Sequence, residues 1–192
     1  YFLCVNWHVK SIEERSFYQC KNLRKVIFSN ESELESIGSC AFSSSLASNF
    51  TIPSNVVELK QGWLNHMNEN IRISISPSNK CFKFLDENHE IIIGKSDINE
   101  DSYDTLEFAD RSIIEIVIPS FIKHINSCAF QNCEYLERVT FLEDSKLESI
   151  GSGAFSSTSI HQITIPTHVK KICEYTFNNC EFLKLIQFTK DS

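Results

Sequence analysis

The chain repeats itself. Residues 9–59 lie on 122–172 without a gap, and over two in five of the aligned pairs are identical, among them Ile12/Ile125, Phe17/Phe130, Cys20/Cys133, Leu23/Leu136 and Val26/Val139. The run "LESIGS" at 34–39 recurs at 147–152, and "TIP" at 51–53 recurs at 164–166. A shorter period lies inside the duplication. Phenylalanines of one type stand at Phe17, Phe42, Phe130, Phe155 and Phe177, and each is followed by an apolar-x-apolar pair. The pairs are Val26/Phe28, Phe50/Ile52, Val139/Phe141, Ile163/Ile165 and Ile186/Phe188, with a further pair at Ile116/Ile118. Proline follows three of the pairs, at Pro53, Pro119 and Pro166, and apolar residues return three and six positions later, as in Val56/Leu59 and Val169/Ile172. Neither a helix, with period 3.6, nor a single strand, with period 2, carries this pattern.

A unit of about 23 residues with one short strand cannot bury its own apolar positions, so copies must stack and close a common core. The fold class expected is an α/β-type repeat solenoid dominated by β: one parallel strand per coil, with short or 3-10 helical turns between. Where proline follows a strand, it ends the strand because it has no N–H to donate. Leu3 and Val5 stand where Val26 and Phe28 stand in the next unit, so the chain begins and ends in a strand. The expectation is one domain over 1–192, with about nine coils.

The middle is less regular. Residues 102–119 align without a gap on 149–166, which puts Phe108 in the place of Phe155 and Tyr103 in the place of Ile150. Upstream, Ile73/Ile75 supply a strand, and Trp63 and Leu64 lie near the expected phenylalanine position. Residues 81–98 read as one degenerate coil with its strand at Ile91–Ile93; the alternative is an inserted hairpin turning at Asp86–His89.

The bulk numbers narrow the function. A net charge of −7 disfavours a nucleic-acid surface, since phosphate tracking needs excess Lys and Arg. No apolar stretch approaches the roughly 18 residues of a membrane span. The chain starts at Tyr1 with no leader-like segment, which suggests a piece of a longer protein.

The pattern "LxxVxF…IPxxVxxIxxxAFxxCxxL", visible at 116–141 and 163–188, resembles the leucine-rich repeats of BspA-like surface proteins, known from Bacteroides and trichomonads. The resemblance covers essentially the whole chain and is weakest at 60–100. It implies a right-handed leucine-rich-repeat solenoid and a surface antigen that binds a protein or glycan on a host or neighbouring cell. It implies a cell-surface or secreted location, and it brings no catalytic residues and no cofactor. Fold analogy alone assigns no site.

Eight cysteines invite other readings. Cys20, Cys133 and Cys180 each lie three residues after a repeat phenylalanine, a position inside the solenoid where a thiol acts as a small hydrophobe. Disulfides stay open at this stage, whereas no pair has zinc-finger spacing. The histidines at 8, 66, 89, 124, 161 and 168 form no repeated constellation. "IGSGAF" lacks a phosphate-binding Gly pattern and reads as loop filler. Sequons occur at Asn30 and Asn49.

Residues alternating with the inward pairs face out of the sheet. They are Lys25 and Ile27, Asn49 and Thr51, Arg72 and Ser74, Glu115 and Val117, Arg138 and Thr140, Gln162 and Thr164, and Leu185 and Gln187. The polar members Lys25, Thr51, Arg72, Ser74, Glu115, Arg138, Thr140, Gln162, Thr164 and Gln187 are the candidate partner-binding set. Open end strands pair with other chains, so Leu3, Val5, Ile186 and Phe188 are candidates for self-association into homo-oligomers.

Overall fold

A computed structural model describes residues 1–66 and 71–189 and divides the chain into two compact units after Lys83. In the first unit each coil supplies a front strand of four residues and a back strand of two. They are β1 (Phe2–Val5) with β2 (Ser11–Ile12), β3 (Lys25–Phe28) with β4 (Ser36–Ile37), β5 (Asn49–Ile52) with β6 (Glu58–Leu59), and then β7 (Arg72–Ile75). Front strands pair in parallel in the order β1-β3-β5-β7, and back strands in the order β2-β4-β6.

Strand β8 (Phe82–Phe84) lies across the division, and the second unit goes on differently, with β9 (Ile91–Gly94) and β10 (Thr105–Ala109). Regular coils follow: β11 (Glu115–Ile118) with β12 (His124–Ile125), β13 (Arg138–Phe141) with β14 (Ser149–Ile150), β15 (Gln162–Ile165) with β16 (Lys171–Ile172), and finally β17 (Leu185–Phe188). Back strands β10, β12, β14 and β16 pair in parallel. Each unit is thus a parallel β-solenoid with four front strands. Among the described residues there is no helix.

Turns replace the expected helical connections for a physical reason. Each regular turn carries two residues with positive φ four positions apart: Arg15 and Gln19, Cys40 and Ser44, Cys128 and Asn132, Gly153 and Ser157, Tyr175 and Asn179. A right-handed helix cannot run through such residues, and for a non-glycine each costs about 1–2 kcal/mol. The offset comes from bonding between coils. Cys128, Phe130 and Asn132 donate their N–H groups to Ser152 O, Ala154 O and Ser156 O of the next coil, at 2.8 to 2.9 Å. Phe17 donates to Ala41 O, and Phe155 to Thr176 O, in the same way. The turns therefore form a third inter-coil ladder beside the two sheets.

Between these walls lie the phenylalanines. Phe130, Phe155 and Phe177 stack with ring centroids 5.0 and 5.6 Å apart and planes within 11°, and Phe17 stacks on Phe42 at 5.1 Å. Trp63 continues the series: Phe42 N–H donates to Trp63 O, and the indole packs edge-on against Phe50. All eight cysteines are free. Burial pushes the Cys133 thiol up despite the Arg111 guanidinium beside it, so this sulfur is a filler rather than a nucleophile.

Three readings need correction. Residues 81–98 are not a degenerate coil. The strand at Ile91–Gly94 exists, but β9 runs antiparallel to β10 and sits beside β8, with Leu85 N–H donating to Ile91 O. That is the hairpin geometry, and it leaves eight front strands, four per unit, rather than nine coils. Second, Phe108 and Tyr103 do not hold the repeat positions. Ala109 makes the bond to Ala129 O that Phe130 makes to Ala154 O, and Leu106 pairs with Ile125. The antiparallel pairing stretches β10 through a bulge between Leu106 and Phe108 and shortens the turn. The buried Arg111 fills the remaining space, donating to Ala109 O and Ala129 O with its guanidinium over the Phe108 ring.

Third, "IGS" is not filler. A Cβ on Gly151 would lie 2.4 Å from Ser127 N, and one on Gly38 would lie 2.6 Å from the backbone of Glu13. These glycines let one coil seat against the previous one.

Phe155 is fully buried between two stacked rings. Phe155→Ala is expected to lose about 3–5 kcal/mol in urea unfolding; a loss below about 0.5 kcal/mol would contradict this packing.

Candidate functional site

Every residue of the expected partner-binding set is exposed. The front strands alternate as required: in β5, Phe50 and Ile52 are buried, while Asn49 and Thr51 face out. In register, Thr51 meets Ser74 with their hydroxyls 2.8 Å apart, and Arg138 Nη1 meets Glu115 Oε2 at 2.7 Å. Lys25, Thr51, Arg72 and Ser74 lie on the first unit, and Glu115, Arg138, Thr140, Gln162, Thr164 and Gln187 on the second. Asn30 and Asn49 are exposed. Of the end-strand residues, Leu3 and Val5 are half-buried, while Ile186 and Phe188 are 43% and 57% exposed.

The face is not uniform, because coil length varies by one residue. Most neighbouring front strands repeat at one regular interval, with Phe2 on Lys25, Asn49 on Arg72, Glu115 on Arg138 and Gln162 on Leu185, and these share four ladder pairs each. From Lys25 to Asn49 the interval is one residue longer, and β3 and β5 keep only that single pair. From Arg138 to Gln162 it is longer by the same amount, and β13 and β15 share none. The excess arises just after β3 and β13. There the step from front strand to back strand runs from Phe28 to Ile37 or from Phe141 to Ile150, two positions longer than the step from Ile118 to Ile125. The step on to the next front strand, Ile37 to Phe50 or Ile150 to Ile163, is one shorter than that from Ile125 to Val139, which leaves one residue net.

The two links turn by different chemistry. In the short link Ile122 N–H donates to Pro119 O. In the long link Ser145 N–H donates to Leu142 O, and the buried Ser145 hydroxyl accepts from Leu147 N–H.

Where the ladder opens between β13 and β15 lies a groove of about 920 Å³, in the size range of ligand sites. One bank runs from Glu137 to Glu143; the other carries His161, Gln162, Thr164, Pro166, Thr167 and His168, with Thr189 beyond. Arg138, Thr140, Gln162 and Thr164 of the expected set meet here. Glu137, Glu143, His161, His168, Thr167 and Thr189 were not singled out by sequence reasoning. The signal that marks them is the one extra residue between successive front strands.

Other polar clusters lie elsewhere in the second unit. His124 Nδ1 and Ser149 Oγ are 2.9 Å apart on adjacent back strands, but no carboxylate hydrogen-bonds the imidazole among the described residues, so the pair lacks the orienting group of a triad. Beside it, Lys123 pairs with Asp104 at 3.0 Å and Lys170 with Glu148 at 2.8 Å. Burial alone would raise Asp104, but Ser96 and Lys123 outweigh it and hold the carboxyl below its ordinary value. No group of His, Cys, Asp and Glu suited to a metal occurs among the described residues.

A stack of short parallel strands with one outward face per coil defines a leucine-rich-repeat protein. The family model for the BspA type leucine rich repeat region (6 copies) matches residues 3–104 and 103–192, and the chain belongs to that family. In solved structures it is similar to a leucine-rich repeat protein from Eubacterium ventriosum, at 23% identity and TM-score 0.77, covering 97% of this chain and 53% of that one. It is also similar to the pneumococcal vaccine antigen PcpA, at 19% and 0.74, covering 97% and 50%. A leucine rich cell surface protein from Faecalibacterium prausnitzii follows at 18% and 0.63, covering 99% and 60%. These likenesses show the fold, and the chain spans half to three-fifths of those structures. No curated protein matches in sequence.

One titration is set by the fold itself. Burial pushes the Glu107 carboxyl up to about 7 from 4.5, although Asn126 Nδ2 donates to it at 2.6 Å. A raised carboxyl pKa favours the folded state fully below pH 4.5, and that contribution is lost as pH rises through 7. Thermal stability is therefore expected to fall between pH 4.5 and 7, and Glu107→Gln to flatten that fall. A parallel pH profile for the two proteins would rule out the burial of this carboxyl.

Proposed function

We propose that the chain is a non-catalytic binding module of a surface-displayed protein, and that it contacts a macromolecular partner through the outward face of its front strands. The observation that carries this reading is the face itself, on which every alternate front-strand side chain is exposed and polar or charged at most positions. Membership of the BspA-type family and the surface-protein and vaccine-antigen descriptions of two similar structures support a surface location. A protein or glycan suits such a face better than a small apolar ligand, because its groups are spread along the strands rather than gathered in an enclosed pocket. Adhesion to a host or neighbouring cell is the role this implies.

The test is binding of the purified chain to cultured host cells and to immobilised matrix proteins. The triple variant Arg72→Ala, Arg138→Ala, Gln162→Ala is expected to lose at least tenfold in affinity while unfolding at the same temperature. Retention of full binding by that variant would overturn the face as the contact surface.

A second reading is association of copies through the end strands; Ile186 and Phe188 on β17 are exposed, and the same apolar edge is what a further coil of a longer protein would cover. Such association predicts a mass in light scattering that rises with concentration, and whose rise is removed by Ile186→Lys with the fold intact; a constant monomer mass would exclude it.

A further inference from the structure

The duplication supplies an internal comparison for the groove between β13 and β15. Laying 122–172 back on 9–59 places that groove on the strands β3 and β5, whose ladder is also interrupted. The backbone plan is shared, but the polar lining is not. Glu137 and Glu143 in the second unit correspond to Arg24 and Asn30 in the first, and His161 and His168 correspond to Ser48 and Asn55. Identity is high among inward positions and low along the banks of the groove.

The charge of the β13/β15 groove follows from its pairs. Its cationic side chain, Arg138, is already matched to Glu115 at 2.7 Å. Glu137 and Glu143 make no ion pair among the described residues, so two carboxylates remain uncompensated. They stand six positions apart and flank β13, Glu137 just before it and Glu143 in the turn that follows. Between them the banks offer the hydroxyls of Thr140 and Thr164 and the amide of Gln162, all exposed. Such groups can both donate to and accept from a peptide main chain. A groove lined by an acid on either side of β13 is complementary to an extended chain with two spaced cations.

We infer that this groove binds an extended basic peptide segment of the partner, with its two cationic side chains at Glu137 and Glu143 and its main chain along Thr140, Gln162 and Thr164. The inference rests on the front-face reading above and narrows it to one place and one chemistry. Acidic peptides and sulfated glycans are repelled by the same charges, and the β3/β5 counterpart, with Arg24 and Asn30 in the places of Glu137 and Glu143, does not take the basic segment.

The experiment is fluorescence anisotropy with two labelled heptapeptides, KSTSTSK and ESTSTSE, whose charged residues have the spacing of Glu137 and Glu143. The lysine peptide is expected to bind at least fivefold more tightly, with affinity falling as salt is raised. Exchanging the counterpart residues into the groove, Glu137→Arg with Glu143→Asn, is expected to abolish that preference. Both positions are exposed, so unfolding temperature should stay unchanged; Glu137→Gln with Glu143→Gln serves as a second, milder variant. Equal binding of the two peptides, or a preference that survives in both variants, would overturn the inference. Partner binding that is lost in the Arg72, Arg138, Gln162 variant but kept in the Glu137, Glu143 exchange would overturn the groove alone and leave the front-face reading standing.

Discussion

Contact between successive coils is the constraint from which the rest follows. A single coil has no interior: its inward side chains close a core only against the coils before and after. Three parallel ladders hold that contact, along the front strands, along the back strands and through the turn N–H groups. The third accounts for the backbone strain. Pairs such as Cys128 and Asn132 sit at positive φ because that conformation keeps their N–H groups aimed at Ser152 and Ser156 of the next coil. Gly151 shows how close the approach is, since a single added carbon would meet the backbone of the coil before it. The stacked rings of Phe130, Phe155 and Phe177 then fill the space the three ladders leave.

Much of this was legible in the residues. Alternation of Ile163 and Ile165 with Gln162 and Thr164 marks a strand with one wet face, and the proline after it marks the strand's end. The duplication carries the register of several strands at once. Legibility failed where the repeat competes with a different pairing. The run at Ile91–Ile93 has the apolar strength of a buried strand, but direction is not encoded in hydrophobicity, and only the turn at Asp86–His89 hints at a hairpin. Once β9 pairs antiparallel with β10, the turn that should present Phe108 is drawn into the strand, and Ala109 takes its place. A gapless alignment cannot see this, because the step from Leu106 to Ile116 is three residues shorter than that from Ile150 to Ile163. The site was harder still. Outward positions are read from alternation, but a groove is a relation between strands, and here it depends on one added residue.

That one residue links fold to function. A strand pair at the regular interval returns each residue to its own position on the next coil, as Thr51 returns to Ser74, so the ladder closes over four pairs. One more residue per coil, the net of a longer link from Phe28 to Ile37 or from Phe141 to Ile150 and a shorter step on to the next front strand, spoils the return. The core tolerates the fault because the back strands stay in register: Ile37 still pairs with Leu59, and Ile150 with Ile172. Packing and face are thereby uncoupled. The back ladder and the ring stack carry stability, while the front ladder is free to open.

The two halves of the duplication show the use of that freedom. Inward residues stay nearly constant between them because each must fit a neighbour made to the same plan. Outward residues are not packed into the core, and the banks of the two seams differ in charge, with Arg24 and Asn30 on one where Glu137 and Glu143 stand on the other. A face built this way can change its partner by substitution alone, one exposed side chain at a time, at little cost to the core. The open seam interrupts the flat sheet, and it leaves Thr140 on one bank and Gln162 and Thr164 on the other along one groove.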